Sequence, residues 1–296
     1  MIRVTAPTEG RNPRTLDLDL LSTRDLLAAL NAEDATVAGA VAGVLDALSG
    51  VVDRAAAALA AGNSVHYFGA GTSGRLGCLD AAEIPPTYGV PATWFQAHLA
   101  GGPGAMWRAV ENAEDDFDAG AAEARDAVRP GDVLIGIAAS GRTPYVLGAL
   151  STPRCFTVLI CSNPAATADV DVLITPDTGP EPVMGSTRMK AATAQKLILN
   201  SFSTAVMVRL GRVYSNLMVD LSATNAKLRG RRLTLLMEAT GLPEAEAAAA
   251  LAAADGELKV ALVTVLAGVP TAQARAALIT TEDQVRKALV LLTPGA

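Results

Sequence analysis

The chain has 296 residues, of which 50% are hydrophobic and only 4% aromatic, and a formal charge of −6. That length suffices for one large domain with a small appendage and a well-filled core. The acidic balance, with no local Lys/Arg cluster, argues against nucleic acid as a partner. Three cysteines and two histidines form neither an even disulfide framework nor a zinc-spaced set, and no apolar run approaches the roughly 18 residues of a membrane span. The expectation is therefore a cytoplasmic protein, with no membrane partner, no structural metal and no bound cofactor.

The polar start reads as an extended arm through Glu9-Gly-Arg-Asn-Pro13, followed by a capped helix start at Ser22-Thr-Arg-Asp25. Such an arm needs something to lie against. Apolar residues then recur at helical spacing from Val37 to Ala61, and Gly62-Asn63 ends the run before a short strand at Ser64–Gly69. Further strand-like runs follow at Ala92–Gln96, Asp132–Ala138, Phe156–Cys161 and Val170–Ile174, each set off by helical pattern or glycine-rich loop. About five parallel strands covered by helices result, an α/β doubly wound arrangement. A long helical stretch runs from Arg188 to Arg209 and is read as continuing past Gly211 into Leu217–Asp220. From Gly241 onward, alanine-rich sequence punctuated by Gly-Leu-Pro, Asp-Gly and Gly-Val-Pro predicts three or four short helices. The division expected is a main domain over 1–235, including the arm, and a small helical subdomain over 236–296.

Three polar segments carry the chemistry. Gly69-Ala-Gly-Thr-Ser-Gly74 follows a strand and opens a helix, so backbone N–H groups, the helix N-terminus and the hydroxyls of Thr72 and Ser73 suit an anion, and Arg75 could add charge. Neither a Walker lysine nor an acidic residue at the end of a second strand accompanies it, which favours a small phosphate ester over a nucleotide. Ala138-Ala-Ser-Gly-Arg-Thr-Pro144 repeats the design with Ser140, Arg142 and Thr143, and a proline early in the next helix. Gly185-Ser-Thr-Arg-Met-Lys190 places Ser186, Thr187 and Lys190 at a third helix start. In an open parallel sheet, the first two loops fall at the carboxyl ends of strands, where ligands sit.

Together with Leu79-Asp-Ala-Ala-Glu-Ile-Pro-Pro-Thr87, Thr8-Glu-Gly-Arg-Asn-Pro13, Thr193–Leu197 and Asn216–Asp220, these segments resemble the N-acetylmuramic acid 6-phosphate etherase family over most of the chain. The resemblance implies a sugar isomerase (SIS) domain of three αβα layers, a homodimer, and a phosphorylated amino-sugar substrate whose D-lactyl ether is cleaved to give N-acetylglucosamine 6-phosphate and D-lactate. It further implies that Glu83 and Glu114 act as acid and base. From the residues alone, Glu83 reads first as a helix-end carboxylate before a proline stop, and Glu114 as part of a solvated acidic helix face.

The implied chemistry needs two such groups. Opening the sugar ring exposes an aldehyde at C1, which acidifies C2 and permits elimination across C2–C3, so one carboxylate takes a proton and another gives one. The resemblance assigns the acid role to Glu83 and the C2 proton to Glu114. The hydroxyl loops, or Lys190, are candidate donors to the developing enolate, and Thr72, Ser73, Ser140, Thr143, Ser186 and Thr187 are candidates to hold the phosphate. The chain departs from the family pattern in a segment between Tyr145 and Asn163 about three residues short, in Ala192 and in His98; His98 is read as a loop histidine and His66 as core. Two other functions fit the loops: a noncatalytic phosphosugar sensor, and an aldose–ketose isomerase, which needs no acid at C3.

Overall fold

The structure, a computed structural model, describes residues 6–152, 155–220 and 226–293, without side chains at 226–229. Its contacts group into two compact units. The first comprises residues up to Ala82 and Ala92–Thr204; the second comprises Glu83–Pro91 and the chain from Ala205 onward.

In the first unit, helices α1 (Thr23–Asp34), α2 (Val37–Ala42) and α3 (Leu45–Ala60) precede strand β1 (Val65–Gly69). Ser22 caps α1 by accepting from the Asp25 N–H at 3.2 Å. The single helix expected over Val37–Ala61 is two, because Gly43 and Val44 interrupt it. Helix α4 (Gly71–Tyr88), β2 (Phe95–Leu99), α5 (Phe117–Ala127), β3 (Val133–Ile137), α6 (Pro144–Leu150), β4 (Phe156–Ile160) and β5 (Val172–Ile174) follow, and α7 (Lys190–Arg209) ends the α/β portion. The five strands are parallel in the order β2-β1-β3-β4-β5. The doubly wound reading holds, and the order reverses between β1 and β3, at the switch point where such sheets bind ligands.

Alternation along the strands sends side chains to two layers. Phe68, Leu134 and Leu159 pack with Tyr145, Val146, Ala149 and Leu150 of α6 and Ala124 of α5. A methyl group on Gly77 of α4 would meet Tyr67 and Ile137, which locates the other layer. Helices α5 and α6 approach backbone to backbone: a Cβ on Gly120 would stand 1.9 Å from the Tyr145 carbonyl oxygen, and one on Gly148 2.0 Å from that of Phe117. Only glycine permits that crossing.

Strand β2 lies three residues later than the apolar run at Ala92–Gln96 suggests. Residues 92–94 form a turn, and pairing with β1 sets Phe95 opposite Val65 and His98 opposite Phe68. His98 is thus a strand residue, not a loop one. It joins a polar chain on the α5–α6 face: His66 Nδ1 lies 3.0 Å from His98 Nε2, His98 Nδ1 lies 3.0 Å from Glu123 Oε1, and the Tyr145 hydroxyl donates to Glu123 Oε2 at 2.5 Å. Burial lowers the His66 pKa to about 4, with nearby His98 adding to the effect. The His98 hydrogen bond holds Glu123 below its ordinary value against the opposing effect of burial.

In the second unit, β6 (Val213–Tyr214) and β7 (Leu217–Met218) pair as an antiparallel hairpin, so the helix expected to run on past Gly211 stops. Gly211, at φ +72°, adopts the left-handed conformation that ends helices. Helices α8 (Ala226–Thr240), α9 (Glu244–Ala253), α10 (Leu258–Ala267), α11 (Thr271–Thr280) and α12 (Val285–Leu292) follow. Buried Leu236, Leu258, Leu262, Val263 and Leu278 form their common core. The four short helices after Gly241 fit the punctuation read from sequence, whereas the expected division at 235/236 falls inside α8. Among the described residues no single helix is long and apolar enough to cross a membrane.

Candidate active site

A cleft of about 590 Å³ opens in the first unit, lined by Glu9, Ala70, Gly71, Thr72, Ser73, Glu114, Asp115, Ala139, Ser140, Arg142, Thr143, Pro144 and Thr187. The segments after β1 and after β3 form its facing walls, which puts it at the switch point of the sheet.

The first wall is the opening turn of α4, which begins at Gly71, so Thr72 and Ser73 belong to a helix rather than to a loop before it. The first N–H groups of a helix have no intrahelical acceptor, and they carry the positive end of the helix dipole. Glycine is needed because a Cβ on Gly69 would lie 2.6 Å from the Gly74 Cα, and one on Gly74 would lie 2.5 Å from the Gly69 oxygen. The strand thereby enters the helix without a wider loop. Arg75 does not point its charge into this anion seat. Its guanidinium donates to the carbonyls of Ala105 and Met106 at 2.8–3.1 Å, holding the short turn Pro103–Met106.

The second wall turns at Gly141, whose φ of +72° brings Ser140 and Arg142 round so that the Arg142 N–H donates to Ser140 Oγ at 3.2 Å. Asn163 Nδ2 donates to the Ser140 carbonyl at 3.1 Å and ties the turn to the end of β4. Pro144 starts α6, where a missing N–H costs nothing. Arg142 is exposed and carries the positive charge among the lining side chains.

The third segment is only partly in the cleft. Thr187 lines it; Ser186 does not. Lys190 departs from its expected place as an anion or enolate donor, because its side chain is fully buried. Its Nζ donates to Glu33 Oε2 at 2.8 Å, while Glu33 also accepts from Arg14 and from Asn12 Nδ2. Those donors, Arg14 foremost, lower the Glu33 pKa to about 2. The helix start itself is capped by the buried Glu181, which accepts from the Lys190 and Ala191 N–H groups at 2.8 and 3.0 Å. Burial was the missing consideration, since an amphipathic helix start and a buried one look alike in sequence.

Glu114 is exposed in the single turn Ala113–Asp115, entered through Asn112 at φ +62°. It is not on the face of a longer helix. It borders the cleft and also a smaller recess of about 190 Å³ with Ala70, Gly71, Arg75 and Ala100. Glu83 is exposed further along α4, at the first residue of the second compact unit. Pro85 and Pro86 do not end the helix but lie inside it. Each lacks an N–H, so the Ala81 and Ala82 carbonyls lose their helical donors next to Glu83.

The arm residue Glu9 was not singled out by sequence reasoning, yet its side chain lines the cleft. The signal that could have found it is the run Thr8–Pro13, read only as an arm.

A parallel five-stranded sheet of this order, carrying a hydroxyl-lined cleft at its switch point, defines a domain of the sugar isomerase (SIS) type. Residues 36–154 match the glucokinase regulatory protein N-terminal SIS domain family. Phosphoheptose isomerase from Neisseria gonorrhoeae has the same fold, with a TM-score of 0.50 at 18% identity, covering 63% of this chain and 100% of that one. The chain is 58% identical to an N-acetylmuramic acid 6-phosphate etherase of Thermobifida fusca over 89% of its own length and 88% of the relative's. It is 52% identical to one of Symbiobacterium thermophilum, covering 88% of each. The chain belongs to the N-acetylmuramic acid 6-phosphate etherase family.

Proposed function

We propose that this chain cleaves the D-lactyl ether of N-acetylmuramic acid 6-phosphate, a reaction of cell-wall amino-sugar recycling, and that Glu83 and Glu114 carry its proton transfers. The observation that carries the reading is the cleft itself: hydroxyls from three segments surround a helix N-terminus, and Glu114 stands at the rim. Phosphate rests on Thr72, Ser73, Ser140, Thr143 and Thr187, with Arg142 offsetting its charge. A phosphate so held fixes where the sugar carbons lie, and binding remote from the reacting bond is used to orient it.

In the open-chain sugar, Glu114 removes the C2 proton and the electron pair passes to an enolate on C1–C2. Its collapse expels the C3 oxygen, which takes a proton from Glu83 as D-lactate leaves. Glu83, now a carboxylate, draws a proton from water as the water oxygen adds to C3, and C2 is reprotonated by Glu114 to give N-acetylglucosamine 6-phosphate. Every proton taken is returned, so no redox partner enters. The assignment of Glu83 and Glu114 rests on the family motifs they occupy.

We further place the working enzyme in the cytoplasm as a homodimer. Leu16, Leu20, Leu21 and Leu27 along the arm and α1, with Trp107, Val183 and Met184, are large apolar side chains left exposed in the first unit, and a partner subunit would cover them in this reading. The deciding experiment is incubation of the pure protein with N-acetylmuramic acid 6-phosphate and assay of lactate. No lactate release sinks the activity, and sedimentation as a monomer at micromolar concentration sinks the dimer.

A further inference from the structure

One wall of the cleft comes from none of the strands or helices of the α/β layers. It is Glu9, at the end of the short turn Pro7–Glu9. Its side chain is half-buried, and among the described residues its carboxylate has neither a hydrogen-bond nor an ion-pair partner. Oε2 lies 3.1 Å from the point a Cβ on Gly185 would occupy, so the carboxylate rests against a backbone left bare by glycine.

The arm that delivers Glu9 is fastened on both sides of it. The Gly185 N–H meets the Thr8 carbonyl at 3.4 Å, Asn12 Nδ2 donates to the Pro180 carbonyl at 3.3 Å, and Thr15 Oγ1 donates to that of Pro182 at 2.8 Å. Beyond these, the buried Lys190–Glu33 pair takes hold of Asn12 and Arg14. Thr8, Asn12 and Thr15 are buried, whereas the carboxylate between them is left without a partner in a cleft rich in donors.

An ionised carboxylate only accepts hydrogen bonds, and like charge keeps it away from phosphate or a lactyl carboxylate. What it fits is an uncharged O–H or N–H on the sugar. We propose that Glu9 is a specificity-determining residue that accepts a hydrogen bond from a neutral donor of the phosphosugar, and that the arm exists in this fold to hold it there. This rests on the phosphosugar reading of the cleft. The carboxylate also disfavours the reversed pose, in which phosphate would approach Glu9.

Calorimetric titration of wild type, Glu9→Ala and Glu9→Gln with N-acetylglucosamine 6-phosphate and with inorganic phosphate tests it. Glu9→Ala is expected to weaken the sugar phosphate about tenfold or more, as loss of a hydrogen bond to a charged acceptor does, while inorganic phosphate binds equally or more tightly. Glu9→Gln keeps a neutral acceptor oxygen and is expected to lose clearly less sugar-phosphate affinity than Glu9→Ala. A further titration with 2-deoxyglucose 6-phosphate separates the donors. If the acetamido N–H is the donor, Glu9→Ala abolishes the preference for the amino sugar; if it is a ring hydroxyl, both sugars weaken alike. Unchanged sugar-phosphate affinity in Glu9→Ala overturns the proposal. So does parallel loss of both ligands, which would mean that the arm had merely come loose. Failure of the underlying reading is distinct, because wild type itself would then bind no phosphosugar.

Discussion

Glu33→Gln tests whether the cation at the start of α7, Lys190, belongs to the interior or to the substrate. Lys190 is fully buried, its ammonium 2.8 Å from Glu33 Oε2, and Glu181 beside it is occupied with two backbone N–H groups. Neutralising Glu33 therefore leaves a buried ammonium without its hydrogen-bonded counterion, with Glu181 acting on it only through space. Breaking a buried pair from one side costs about 3–5 kcal/mol, which in a unit of this size lowers the melting temperature by something on the order of 10 °C. The Arg14 contact, made by a largely exposed guanidinium, adds little to that figure. Lys190→Met should cost less, since it removes the cation and leaves Glu33 with Arg14 and Asn12. Scanning calorimetry with and without N-acetylglucosamine 6-phosphate reads both effects. Melting of Glu33→Gln at the wild-type temperature would refute the reasoning, as would Lys190→Met losing phosphosugar affinity without any change in melting. The pair also carries a pH signature. The Glu33 pKa is depressed to about 2, so its stabilisation is complete above the unfolded carboxylate range and is lost as pH falls through that depressed value.

Glu83→Ala and Glu114→Ala should each abolish lactate release while phosphosugar affinity stays within a few fold of wild type; unchanged turnover in either removes that residue from the mechanism. His66, held to about pKa 4 by burial, binds a proton less readily than in the unfolded chain, whose histidines titrate near 6.5. Stability should therefore rise with pH between about 4 and 6.5, and His66→Asn should flatten that part of the curve in urea unfolding. Tyr67→Phe deprives Asp80 Oδ2 of its 2.9 Å donor inside the core, at a cost of about 1–3 kcal/mol; an unchanged urea midpoint would contradict it. Gly74→Ala forces a methyl group to 2.5 Å from the Gly69 oxygen and should lower both soluble yield and melting temperature.

Much of the fold and part of the site are legible in the sequence because they depend on neighbours close along the chain. The glycines of Gly69–Gly74, the proline at 144 and the period-2 apolar runs set a strand, a tight turn and a helix start wherever they occur. Two such units in succession lead to a parallel sheet with hydroxyls at its switch point, and Thr72, Ser73, Ser140 and Thr143 line the cleft there. What local pattern did not contain was pairing and burial. The register of β2 comes from its alignment with β1, which moves the strand off its most apolar run and turns His98 towards Glu123. Lys190 looks like an anion donor until Glu33, far away in the chain, meets it in the interior. Glu9 looks like part of a solvated arm until Gly185 comes up beside it and the cleft opens in front of it. Backbone preference and periodicity thus made most elements and the kinds of group available readable along the chain, though not the start of β2 or the β6–β7 hairpin. Which charges are neutralised in the core and which stay open to a substrate depends instead on the partners that folding brings within hydrogen-bond reach, and no local pattern carries that information.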